Sequence, residues 1–330
     1  MKSILVFSNG EKIGDGIIKL PLLNEIKRRL PNHNIYWMTD HGNTVYTTTL
    51  KGIATKFIYK FFEKANFNFF FSKKISKKFD LEKESFDIIF DTQKSVFRTM
   101  TLKKIKHNTF ISGTASGFFS DIKLSKLIKN QKKYYLENLY DLLDLIVKME
   151  VDKNFNFPIN QNIEEILKKI FKKNYKYAGI APGAGEKNKI WPIGNFIEVC
   201  CDLESKGFVI VFYLGPDEKK FQQLLKDKFK TALFLEDHKL LNNYQNIEII
   251  MASTKFLNFA LSNDSGVSHM LSTNHCSLIK LFGPKDSKKF TPKMNKLITI
   301  SADENNSNKI EDIKISRVID TIDSLEDNNV

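Results

Sequence analysis

The chain has 330 residues, 42% hydrophobic and 27% charged, a globular composition that excludes disorder and is too long for one ordinary core. Lys and Arg outnumber Asp and Glu, 51 against 38, for a formal charge of +13; this favours an anionic partner such as nucleic acid, a membrane surface or a phosphorylated substrate. The three cysteines, Cys200, Cys201 and Cys276, form no CxxC and exclude a disulfide framework or a zinc site.

The N-terminus has only a short apolar run after Met1-Lys2-Ser3, too little for a signal peptide. No stretch approaches the roughly 20 apolar residues that cross a bilayer. The expectation is a cytoplasmic protein, with peripheral contact at the inner membrane as an addition. Strand-like runs follow at 4–8, 35–38, 86–91 and 109–112, with a weaker candidate at 67–71. A second series lies at 177–181, 208–214, 257–262, 277–282 and 297–301. Helical patterns fall between them at 17–30, 134–148, 163–173, 196–206 and 218–229. Such alternation predicts an α/β protein of two doubly wound parallel sheets. The expected domains are 1–160 and 161–330. The last helix, 311–325, carries an apolar stripe of Ile313, Val318, Ile319 and Ile322. The aromatic, basic stretch 56–64 reads as a buried amphipathic helix before a strand, with membrane contact through its lysines as a minor role.

In open parallel sheets, ligands bind where strand ends lead into helix starts. Four segments put unusual chemistry there. Gly10-Glu11-Lys12-Ile13-Gly14-Asp15-Gly16 follows the first strand; Asp15 reads either as a helix cap or as a general base. Ala181-Pro182-Gly183-Ala184-Gly185, with Lys189-Ile190-Trp191-Pro192 after it, offers backbone amides and an ammonium to a diphosphate. Gly215-Pro216-Asp217-Glu218 presents a carboxylate that suits ribose hydroxyls or a helix start. Asn263-Asp264-Ser265-Gly266-Val267-Ser268-His269 opens a helix whose Ser265 and Gly266 amides are expected to face an anion, with Asp264 beside them for sugar hydroxyls. No dinucleotide glycine fingerprint and no nucleic-acid recognition module appears.

Together these segments resemble glycosyltransferase family 9, the heptosyltransferases of lipopolysaccharide core synthesis, over roughly residues 4 to 325. The carriers are Gly14-Asp15 with Lys19-Leu20-Pro21-Leu22-Leu23; Asp91-Thr92-Gln93 with Arg98; Pro182-Gly183-Ala184 with Lys189 and Trp191-Pro192; Asn263-Asp264-Ser265-Gly266 with His269; and Phe282-Gly283-Pro284. The chain departs from the family's pattern in the longer Ser8–Lys12 approach to Gly-Asp, in Gly16, and in Ser265 where Thr is commoner. The resemblance implies a GT-B fold, two Rossmann-like domains facing a cleft, with the last helix crossing back onto the N-terminal domain.

It also implies an inverting, metal-independent transfer of a sugar, heptose from an ADP-heptose-type donor, to a lipopolysaccharide core or related glycan. Asp15 and Lys189 are then catalytic. Gly183, Glu218, Asp264, Ser265, Gly266, His269 and Gly283 bind the donor. Gly14, Gln93 and Arg98 meet the acceptor. The implied partners are a nucleotide-sugar donor, which is a substrate and not a cofactor, and a phosphorylated glycolipid acceptor; no specific nucleic acid is expected. The alternatives are a non-catalytic nucleotide-sugar-binding protein of this fold, or the same fold with another nucleotide-sugar.

Overall fold

Strands that are buried on both faces read as continuous apolar runs, and such runs pair in parallel between layers of helices. The structure, a computed structural model, describes residues 2–67, 79, 81, 84–123, 135–152, 155–274, 276–283, 297–302, 307 and 309–327. The bulk of the candidate strand at 67–71, Lys73, Lys74, Tyr134 and Pro284 lie outside these residues. The chain divides into two units, Met1–Phe155 and Asn156–Val330.

The first unit runs β1 (Lys2–Ser8), α1 (Ile13–Arg29), β2 (His33–Thr39), α2 (Lys51–Ala54), β3 (Ile58–Phe62), β4 (Ser85–Asp91), α3 (Val96–Leu102), β5 (Lys106–Ser112) and α4 (Tyr135–Asp144). Its sheet has the order β3-β2-β1-β4-β5, with every pair parallel. β1 is central, and six of its seven residues are buried in a row. Val6 faces Trp37 on one side and Phe90 on the other.

The stretch at 56–64, expected as a helix, contains the edge strand β3. Pairing with β2 decides this: Tyr36 stacks on Phe62 at 5.9 Å and meets Tyr59 edge-on at 5.4 Å. Cross-strand aromatic contacts of this kind outweigh a helical spacing of lysines. Ile58 and Phe62 are buried and Tyr59 is exposed. Apolar surface is also exposed on the outer face of α3, at Val96, Phe97 and Met100.

The second unit runs α5 (Gln161–Ile170), β6 (Lys176–Ala181), α6 (Ile193–Ser205), β7 (Phe208–Phe212), α7 (Gln222–Lys228), α8 (Asn246–Ser253), β8 (Phe259–Asn263), α9 (Gly266–Leu271), β9 (Ser277–Phe282), β10 (Leu297–Ser301) and α10 (Ile315–Asp327). The strand order is β10-β9-β8-β6-β7, again all parallel. Gly207, at φ 84°, ends α6 in the left-handed conformation that lets the chain turn into β7.

α10 starts four residues later than the expected helix, after a 3₁₀ turn at Ile310–Asp312. Its stripe, expected to pack back on the first domain, lies in the second unit's own core. Val318 and Ile322 join Trp191, Phe196 and Val199 there. Ion pairs Lys206–Asp323 (2.6 Å) and Lys176–Glu326 (2.9 Å) flank that contact.

The strand order of each sheet reverses once, between β1 and β4 in the first and between β6 and β8 in the second. The carboxyl ends of those strands are where a ligand crevice forms in this class of sheet.

Candidate functional site

In the second unit, β6 and β8 deliver the Pro182–Gly185 loop and the Asn263–Ser265 turn to one place. Asn263, fully buried, ties them: its Nδ2 donates to the Pro182 carbonyl at 2.6 Å and its Oδ1 accepts from the Trp191 N–H at 3.2 Å. Trp191 is itself fixed, its indole N–H donating to the Ile313 carbonyl at 3.0 Å. Between these anchors the chain makes a 3₁₀ turn, Lys187–Lys189, that carries Lys189. Gly283 lets the end of β9 approach this turn; a Cβ there would stand 2.9 Å from the Asn188 carbonyl oxygen. Gly283 thus acts through shape.

Lys189 reaches Asp264. Its Nζ donates to Oδ2 at 2.8 Å, with Glu186 at 3.6 Å. The other oxygen, Oδ1, takes Lys280 Nζ at 2.7 Å, and the Lys280 side chain is only 2% exposed. Burial pushes the Asp264 carboxyl up, but the charge of Lys280 and the hydrogen bonds from both lysines outweigh it, so the pKa ends below its ordinary value. His269 is driven down to about 3, first by burial and then by repulsion from Lys280, with Lys189 adding to it against the pull of Asp264; the imidazole is neutral near pH 7.

The α9 start differs in detail from the expectation. Ser265 caps the helix reciprocally with Ser268: Ser265 Oγ accepts from the Ser268 N–H and the Ser265 N–H donates to Ser268 Oγ, both at 3.3 Å. The Ser265 amide is therefore spent, and the Gly266 and Val267 amides follow it in the first turn of α9. Space lies open where a Gly266 side chain would point.

Glu218 and Gly183 lie together. The Glu218 carboxylate lies against both Gly183 and Gly215, where a Cβ on either glycine would overlap it. Its side chain makes no capping hydrogen bond to the turn it precedes. Burial, and then the neighbouring Asp217, raise its pKa. A pocket of about 300 Å³ in the same unit is lined by Lys219, Glu236, Leu241, Tyr244 and Ile249 among others. The group as a whole offers an ammonium, an amide and acceptor carboxylates to an anion that carries hydroxyls.

In the first unit, Gly10 sits at φ 99° and packs so close to Gly42 that a Cβ would stand 2.8 Å from the Gly42 Cα. Glu11 and Lys19 are buried beneath the loop, 3.8 Å apart; Lys19 also donates to Ser8 Oγ and Trp37 Nε1 to Glu11. The helix begins at Ile13 with Lys12 at the cap position, so Asp15 is its third residue and not its cap. Asp15 is exposed and makes no hydrogen bond or ion pair among the described residues. Gly14 is buried. Gly16 is where Tyr46 docks, the phenol donating to the Gly16 carbonyl at 2.7 Å.

Gln93 follows β4. Its N–H donates to Asp91 and its side-chain amide to the Thr92 hydroxyl, while Thr92 donates to the Phe7 carbonyl of β1. Asp91, unremarked as a site in the sequence, organises this corner by accepting from the Thr99 and Ser112 hydroxyls; burial raises its pKa to about 6 against those hydrogen bonds. Arg98 Nε is bound to the buried Asp40 at 2.6 Å, and the Arg98 side chain is partly exposed. No hydrogen bond joins Asp15 to Gln93 or Arg98 among the described residues.

Among the described residues no group of three or more His, Cys, Asp or Glu is placed to hold a metal ion, and no helix is long and apolar enough to cross a membrane.

A family model described as glycosyltransferase family 9 (heptosyltransferase) matches residues 75–317. Lipopolysaccharide heptosyltransferase 1 of Campylobacter coli is 26% identical over 170 residues, 50% of this chain and 48% of that protein, so the match spans about half the length of the curated relative. Among solved structures, a glycosyl transferase family 9 protein from Veillonella parvula superimposes with a TM-score of 0.72 at 16% identity, covering 98% of this chain and 97% of that one. The E. coli heptosyltransferase WaaC with ADP gives 0.66 at 15% identity, covering 98% and 99%. The E. coli ADP-heptose lps heptosyltransferase II gives 0.63 at 16% identity, covering 98% of each chain. At these identities the structural likenesses carry the fold, a pair of parallel α/β units of the GT-B class.

Proposed function

Because the chain belongs to glycosyltransferase family 9, we propose that it moves a heptose from an ADP-heptose-type donor onto a lipopolysaccharide core or related glycan, with inversion at the anomeric carbon. One observation carries the reading: Lys189 and Asp264, 75 positions apart, meet at the switch point of the second sheet. The likeness to a heptosyltransferase structure that holds ADP agrees with it.

In this reading the donor diphosphate takes the Lys189 ammonium and the Gly266 amide. Glu218 accepts from ribose hydroxyls and the base enters the pocket at Lys219 and Tyr244. Asp264 positions the transferred sugar, with neutral His269 alongside. Asp15 removes the proton from the acceptor hydroxyl. The acceptor oxygen then bonds to the anomeric carbon as the carbon–oxygen bond to the diphosphate breaks, and the electron pair leaves with ADP. Lys189 offsets the charge that develops on the leaving group, so the step proceeds without a metal. Gly14, Gln93 and the outer nitrogens of Arg98 meet a phosphorylated acceptor. The test is transfer by the purified chain from ADP-heptose to a heptose-deficient core acceptor, with Asp15→Asn in parallel; ADP binding without any transfer would favour a binding module instead.

Peripheral contact at the cytoplasmic face of the inner membrane belongs to the same reading. Its support is the exposed face of α3, Val96, Phe97 and Met100, beside the exposed Lys94. Flotation with anionic vesicles is expected to lift the protein, and Phe97→Ser with Met100→Ser to abolish this; equal flotation of the double variant would place the contact elsewhere.

A further inference from the structure

Lys280 is out of place by composition. It stands in β9, an interior strand of its sheet, in a run of six residues that are all buried. A lysine there gives up its hydration, which a fold tolerates only when the charge is compensated. The compensation is Asp264: the β8–β9 register sets Lys280 opposite Ser262, two residues before it, and Nζ meets Oδ1 at 2.7 Å. Asp264 therefore has two cations, Lys280 on one oxygen and Lys189 on the other. They differ in access: the Lys189 side chain is 15% exposed and the Lys280 side chain 2%.

This asymmetry has a function. We propose that Lys280 is a positioning residue of the donor site, which holds Asp264 ionised and oriented so that Lys189 is free to exchange its carboxylate for the donor's diphosphate. The assignment rests on the donor reading above. Were Lys189 the sole partner, its departure would strand a buried carboxylate, and the incoming phosphate would have to compete with that carboxylate for the same ammonium. With Lys280 in place Asp264 remains paired after Lys189 turns away.

Lys280→Met keeps an unbranched side chain one atom shorter and removes its charge. Lys189 still pairs with Asp264 in the unliganded variant, so its thermal unfolding should stay close to that of the parent. Calorimetric titration with ADP should show affinity weakened by about tenfold or more, the scale of one neighbouring charge in a half-buried site. Adenosine, which lacks the diphosphate, should bind the variant and the parent alike. In an Asp264→Asn background the same change at Lys280 should cost little more, because Lys280 acts through the Asp264 carboxylate. Unchanged ADP affinity in Lys280→Met, an equal loss for adenosine, or the full loss repeated in the Asp264→Asn background would each overturn the assignment. Parent protein that binds no ADP would overturn the donor reading itself, and this assignment with it.

Discussion

Asp15→Asn is expected to lower transfer by about three orders of magnitude, within the range assigned to a positioned general base, and to leave ADP affinity and thermal unfolding as they are in the parent. The structure gives the reason for the second half. Asp15 is exposed, it does not cap α1, and it makes no hydrogen bond or ion pair among the described residues. The fold has little to lose beyond the favourable placement of a carboxylate in a first helical turn, about 0.3–1 kcal/mol. A carboxylate left free in the first turn of the helix that follows the central strand is available for proton transfer. Initial rates with saturating donor, set beside an ADP titration, separate the outcomes. A variant that transfers at the parental rate removes Asp15 from the chemistry. One that unfolds at markedly lower temperature gives it a structural role that the geometry does not contain.

The second large effect is on stability. Asp264→Ala leaves the Lys280 ammonium buried with no counter-charge, with Lys189 close by. Breaking a buried pair by removing one partner costs about 3–5 kcal/mol, and burial already lowers the Lys280 pKa against the pull of Asp264. Denaturant unfolding should show a loss on that scale. Adding Lys280→Met to the same chain should return most of it, because the uncompensated charge is gone even though the carboxylate is still missing. An Asp264→Ala protein as stable as the parent, or a double variant no better than the single one, would show that the cluster is not electrostatically coupled.

The fold was legible to the extent that buried strands announce themselves. The run at 277–282 coincides with β9, buried throughout, and the run at 297–301 with the edge strand β10, whose apolar residues are half-buried until its last two positions. β3 was not legible: Lys56, Lys60 and Lys64 repeat at helical spacing, and only the pairing of 58–62 with β2 overrides it. The periodicity of α10 was visible in Val318 and Ile322, but a stripe does not name the surface that it meets, and here that surface is α6 and the second core.

Lys189, Asp264, Gly183 and Glu218 stand out in the sequence because they follow strand ends, and the structure adds how each is held. Three details lay beyond the sequence. Asn263 reaches a carbonyl 81 positions away, a contact without local signature. The capping pair of Ser265 uses a serine at the third helical position, where Glu or Gln would have been the warning. Lys280 passes for an incidental polar residue in an apolar strand until the register of β8 and β9 sets it beside the Asp264 turn.

A crystal structure of the ADP complex bears most directly on the central claim that a nucleoside diphosphate occupies the Lys189–Asp264 corner. The account predicts the diphosphate on Lys189 Nζ and the Gly266 amide, the ribose on Glu218, and Asp264 retained by Lys280 alone. ADP bound away from this corner, or Lys189 still seated on Asp264 with the nucleotide present, would contradict it.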